Sequence, residues 1–181
     1  MPKAEVVNVE VVKVEVIIPV GSLLDGSALN IVDPYIADAM GTSVADGTTV
    51  DEMAELFFSR TPKPVMLAMR VRNAIVGRLG FGTSSDSDAE PLGDGPATFE
   101  VGSKLSVFEV LDRDDDEILF SHDDRHISFR MSLRVDSAEQ LVVAATVGKG
   151  NSFLGRAYLV VVRPFHKLVV PAMLRSMVKP D

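Results

Sequence analysis

Hydrophobic and polar positions change period several times along this chain, and each change predicts an element. Within residues 4–18, Val7, Val9 and Val11 share one face, with Asn8 and Glu10 on the other. The phase then flips, so that Val12, Val14 and Val16 alternate with Lys13 and Glu15. Period two predicts a strand, and the flip predicts a β-bulge near Val11–Val12. Pro19 and Gly21 close it. Residues 22–49 are rich in turn formers. Within them Asp33–Pro34 reads as an N-cap followed by a first-turn proline, which predicts a short helix through Ala39. Thr49 or Asp51 caps a second helical segment over 50–59. Pro62 or Pro64 opens a third, which runs to about Leu79 before Gly80.

Residues 82–98 read GTSSDSDAEPLGDGPAT, which predicts a flexible loop, either passive or a lid. From residue 99 the pattern is a β-meander, with strands expected at 103–112, 116–122, 126–136, 139–149 and 154–163. Acidic turns separate them at 112–116, 122–125 and 136–139. The last segment, PFHKLVVPAMLRSMVK from Pro164, reads as a helix with a kink at Pro171. No repeat and no second domain interrupts residues 1–181. The element order is α+β: a curved antiparallel sheet of about six strands wrapped around a long C-terminal helix. Helices are inserted between strands 1 and 2, and a cavity is expected between sheet and C-terminal helix.

Composition narrows the function classes. The chain has 181 residues, 46% hydrophobic and 24% charged, which are globular values. A net charge of −8 argues against a nucleic-acid binder. The absence of Cys removes disulfides, thiolate metal sites and cysteine catalysis. Charged residues break the apolar N-terminus, so no secretory signal is expected. No run reaches the roughly 18 uncharged apolar residues of a membrane span. The expected location is the cytoplasm.

Three stretches, RNAIVGRLGF at 72–81, DDRHISFRMSLRV at 123–135 and LGRAYLVVVRPFHKLVVPAMLRSM at 154–177, resemble an uncharacterised bacterial family of the START-like, or SRPBCC, helix-grip superfamily. That superfamily includes pollen-allergen-like lipid binders and polyketide cyclases. The resemblance implies a single START-like domain over 1–181. Relatives fused behind short-chain dehydrogenase-like domains imply a dehydrogenase-like partner. Ser128 stands where the family's pattern has an acidic residue.

Polar residues on apolar faces supply the candidate site. Val65, Ala68, Met69, Ile75, Val76 and Leu79 share a face of the third helix, and Arg72 falls near its middle. Lys63, Arg70 and Asn73 fall opposite, toward solvent. A guanidinium in that position snorkels, pairs, or anchors a carboxylate or phosphate at the cavity mouth. His166 shares a stripe with Val170, Met173 and Met177, as a packed side chain or as an acid/base group. Arg163 lies at the end of the preceding strand. The ligand-binding set is therefore Arg72, His166, Met69, Met173 and Arg163, with Arg72 and His166 as catalytic candidates.

In strand 126–136, Ile127, Phe129, Met131, Leu133 and Val135 should face the core. His126, Ser128, Arg130, Ser132 and Arg134 should face out, with an Asp124–Arg125–Arg130 charge network in solvent. The His122/His126 pair has no defined third ligand, and the acidic run from Asp112 to Glu117 lacks the EF-hand spacing, so no metal and no cofactor are expected. The leading expectation is a protein that binds an apolar or amphipathic small molecule, with or without an anionic group. The alternatives are a cyclase- or dehydratase-like enzyme using His166 and Arg72, or an interaction domain that fills its own cavity. A homodimer is compatible with each.

Overall fold

The computed structural model describes residues 12–13, 22–24, 36–60, 62–78, 98–105 and 108–178. In chain order they form β1 (Val12–Lys13), β2 (Ile36–Ser43), α1 (Val50–Ser59), α2 (Lys63–Arg78), β3 (Lys104–Leu105) and β4 (Phe108–Arg113). Then come β5 (Glu117–Asp123), β6 (Ile127–Asp136), β7 (Leu141–Gly150) and α3 (Phe153–Val178). The strands make one antiparallel sheet in the order β1-β2-β7-β6-β5-β4-β3. The sheet is curved, and α3 packs against it across β7 and β2, the helix-grip-like arrangement expected of an α+β chain.

Local chemistry explains where the elements begin and turn. Thr49 Oγ1 accepts the Glu52 N–H while the Glu52 side chain accepts the Thr49 N–H, a capping box that starts α1. Each acidic turn is built by one aspartate. Asp114 accepts the N–H groups of Asp116 and Glu117, Asp124 those of His126 and Ile127, and Asp136 those of Ala138 and Glu139. A short carboxylate folding the backbone back on itself is why these turns are acidic.

Four expectations are corrected. The segment expected as a helix through Ala39 is instead strand β2, which pairs along all eight of its residues with β7. The helices therefore enter after the second strand, not between strands 1 and 2. Residues 154–163, expected as a strand, are the first half of α3, which runs on through Pro164 and Pro171. The expected strand 103–112 folds back on itself as the β3–β4 pair. A register shift does occur, but at Val110/Asp112, where Leu111 is the extra residue opposite β5. The bulge expected at Val11–Val12 and the 82–98 loop fall outside the described residues, apart from Val12 and Thr98.

The sheet is buried on both faces. The helical side holds Ile118, Phe120, Met131, Leu133, Val135, Val142 and Ala144 against Val50, Phe57, Val170, Met173 and Leu174. Six phenylalanines run through this layer. Phe58 stacks on Phe57, Phe99, Phe108 and Phe120 at centroid distances of 5.0–6.4 Å, and Phe108 meets Phe129 at 5.8 Å. On the other side Leu24 covers Leu119, Val143, Ala145 and Val147. The expectation that the polar set of strand 126–136 faces solvent fails at Arg130 and Ser132, which are 8% and 1% exposed.

Candidate functional site

Arg72 sits at the seam where α2 packs on α3, half-buried. Its Nη1 donates to the Tyr158 hydroxyl at 2.7 Å, and its Nε is buried without a hydrogen-bond partner. The helical course of 154–163 carries Tyr158 onto the same element as His166. The two lie eight residues apart on α3, about 12 Å along the axis. His166 is half-buried and meets the Phe129 ring edge-on at 6.5 Å.

The remaining expected site residues disperse. Met173 is buried in the core under α3. Arg163 is an exposed residue of α3 rather than the end of a strand. The Met69 side chain is outside the described set. Thus Arg72 is joined to Tyr158 and not to His166, and the two catalytic candidates do not form one hydrogen-bonded pair. A cleft of about 10 Å³, room for about one water, lies elsewhere, between Val44–Thr48 and the β6–β7 turn residues Ser137 and Gln140.

A second polar node ties the β5–β6 turn to the start of α3. Arg125 Nε donates to His126 Nε2 at 2.9 Å, so the proton of a neutral imidazole sits on Nδ1 and points at Ser152 Oγ, also 2.9 Å away. Ser152 Oγ in turn accepts the Gly155 N–H and so caps α3. An imidazole that donates to the serine has no lone pair with which to activate it, so this contact joins elements and does not form a nucleophile–base pair. Gly155 is required here, because a Cβ at that position would overlap the His126 carbonyl oxygen. Asn151 completes the node by donating to Ser128 Oγ at 2.9 Å.

The third node is Glu117, a residue the sequence hides in a run of acids. It is 1% exposed on the sheet's outer side. Its carboxyl group accepts from Ser22 Oγ at 2.5 Å, from the Leu23 N–H at 2.9 Å and from Ser132 Oγ. These bonds fix residues 22–24 over the sheet. Nearby, Arg130 pairs with Asp123 at 2.7 Å and not with Asp124, which corrects the expected network. Burial pushes the Asp123 carboxyl up, but hydrogen bonds from Arg130 and Ser128 and the Arg130 charge outweigh it, so its pKa falls below the ordinary 3.8. Among the described residues no group of three His, Asp or Glu is placed to hold a metal ion.

The outer surface of α2 and α3 is apolar and basic together. Leu67 is 63% exposed on α2, and Phe153, Val160 and Leu168 are 85%, 56% and 67% exposed on α3. Arg70 on α2 and Arg156, Arg163, Lys167 and Arg175 on α3 are exposed there, and neither helix holds any of the chain's 26 Asp and Glu. Among the described residues α3 is the one helix long and apolar enough to cross a membrane, with mean hydropathy 1.4 over its best window. It packs on β2, β7, α1 and α2, and Arg163 and Lys167 interrupt its middle, so it serves here as a core helix.

A family model for proteins of unknown function matches residues 31–173. The chain belongs to that family, DUF2867. No curated protein and no solved structure matches it. The DUF2867 match covers every described strand but β1, both inter-strand helices and most of α3, so the three polar nodes, all but Ser22–Leu24, lie within it. The family supplies no reaction.

Proposed function

We propose that this chain is an interaction module that docks through the outer face of α2 and α3. The observation that carries the reading is the contrast across those helices. Beneath the helices the interior is closed by interlocking phenylalanines of α1, β4 and β5 and by Val65, Val170, Met173 and Leu174 of α2 and α3, while the outer side of α2 and α3 leaves large apolar residues in water beside basic ones. A soluble chain scatters single apolar residues over its surface, whereas a concentration of them on one layer marks a contact surface. START-like superfamily membership and a cytoplasmic setting belong to the same proposal, supported by the sheet-and-helix arrangement and by the absence of Cys. Native mass spectrometry of the purified protein, followed by organic extraction, tests it. The expected result is the bare chain mass with nothing extracted. A stoichiometric small molecule overturns the reading.

One observation favours a second reading, the binding of an anionic amphiphile between the helices and the sheet. Arg72 Nε and the Thr42 and Thr146 hydroxyls are buried without hydrogen-bond partners. Buried polar groups ordinarily find partners, and a ligand would supply them. In that case the extracted molecule carries a carboxylate or phosphate, and an Arg72→Leu protein that remains folded loses it.

A further inference from the structure

We propose that the occupant of the α2–α3 outer face is an anionic lipid surface, on which both helices lie flat; the inference rests on the docking reading above. Charge selects the partner first. The outer face exposes Arg70, Arg156, Arg163, Lys167 and Arg175, and neither helix holds an acid, within a chain of net charge −8, so this face has the opposite sign to the molecule as a whole. Anionic headgroups complement it. A second copy docked through the same face does not, because a two-fold contact sets Arg156, Arg163, Lys167 and Arg175 against their own counterparts.

The arrangement of apolar residues selects a bilayer over an acidic protein. Protein interfaces place apolar residues in a core from which charge is depleted, with charges at the rim. Here the two kinds interleave along one helix face. At 100° per residue, Phe153, Val160, Pro164 and Leu168 fall within the same sector as Arg156, Lys167 and Arg175. The exposed apolar side chains from Phe153 to Leu168 span about 22 Å of helix. Such a face suits the headgroup boundary, where apolar side chains enter the acyl region and long basic side chains reach back to the phosphates. Leu67 and Val71, exposed with Arg70 between them on α2, repeat the pattern.

The chain has no Cys, so Phe153→Cys creates a unique thiol for a polarity-sensitive dye. The labelled protein is mixed with vesicles of phosphatidylcholine alone and with vesicles containing about a third phosphatidylglycerol, the anionic probe. The expected result is a blue shift and co-flotation with the anionic vesicles only. Both are lost when salt is raised to about 1 M, where the screening length falls to about 3 Å. An Arg156→Glu/Lys167→Glu protein, altered only at exposed positions, should bind the anionic vesicles at least tenfold more weakly. Equal binding to both vesicle types, or undiminished binding by the charge-reversed protein, overturns the lipid assignment. A dye that ignores vesicles but shifts blue as protein concentration rises also overturns it, and leaves docking standing with a protein occupant. Recovery of a stoichiometric small molecule by extraction removes the docking reading itself.

Discussion

The two faces of the sheet are buried by opposite means. On the helical side the cover is apolar and thick: three helices and a chain of stacked phenylalanines around Phe58. On the other side the described cover is three residues, Ser22–Leu24, fixed by hydrogen bonds to one carboxyl group. Hydrophobic burial is non-directional and tolerates many packings, whereas a hydrogen-bonded clasp works only while each donor meets its acceptor. The first face should therefore carry most of the stability. The second should decide whether residues 22–24 stay in place.

The largest expected effect tests the first half of that contrast. Phe120 is fully buried and packs edge-on to both Phe58 and Phe99. Phe120→Ala removes the ring and leaves a cavity that the sheet backbone cannot collapse into, so the protein should lose about 3–5 kcal/mol in chemical denaturation. A loss below about 1 kcal/mol would mean that the phenylalanine layer is loosely packed, and the filled interior would have to be reconsidered.

The clasp should give a smaller and more local response. Glu117→Ala leaves Ser22 Oγ, Ser132 Oγ and the Leu23 N–H without an acceptor, at a cost of about 1–3 kcal/mol. Glu117→Leu fills the space but strands the same donors, and Glu117→Gln keeps one acceptor oxygen. The stability order should be wild type, Gln, then Ala and Leu. Amide hydrogen exchange is the sharper measurement. The Leu23 N–H should lose protection in every variant while the β6–β7 amides, held by their own ladder, keep theirs. Loss of protection across the sheet would show that the two faces are one cooperative unit.

The same contrast explains what could be read from the residues. The alternation of Phe129, Met131, Leu133 and Val135 marked the helical side correctly, because apolar burial writes itself into the period of a strand. Arg130, Ser132 and Glu117 carry the polar half of that period. They look identical whether water or protein covers them, and the segment that clasps Glu117 lies about a hundred residues away in sequence. The errors in element type have a different origin. Tyr158 and the run Val160–Val162 favour strands locally, yet packing against β7 and α2 makes them helix. In the same way Asp33–Pro34 offers a helix start, but residues 36–43 gain a full ladder with β7. The exposed basic layer was partly legible. Both helix sequences lack acids, but only the fold brings them side by side. The Arg72–Tyr158 bond was not legible, since it required the helical assignment of 154–163.

The smallest effect separates the edge of the clasp from its centre. Asp123 lies on the same side of the sheet as Glu117 but is about half exposed, and it pairs with the buried Arg130. Its pKa is lowered in the folded protein relative to the ordinary 3.8, with burial opposing the shift and the hydrogen bonds of Arg130 and Ser128 driving it. A depressed carboxylate stabilises the fold fully above its unfolded value, and the contribution drains away as pH falls through the folded value. The pair should therefore add to stability at neutral pH and cease to do so in the acid range below about 4. Solvent screens a group this exposed, so the effect should be modest. Asp123→Asn should lower stability slightly at pH 7 and flatten the fall in stability on acidification, as followed by denaturation at a series of pH values. The Leu23 N–H should stay protected throughout at neutral pH, because Asp123 does not touch residues 22–24. If Asp123→Asn instead released that amide, the polar side of the sheet would be a single network running from Asp123 through Arg130 to Glu117, and the clasp would be sensitive to acid through its exposed end.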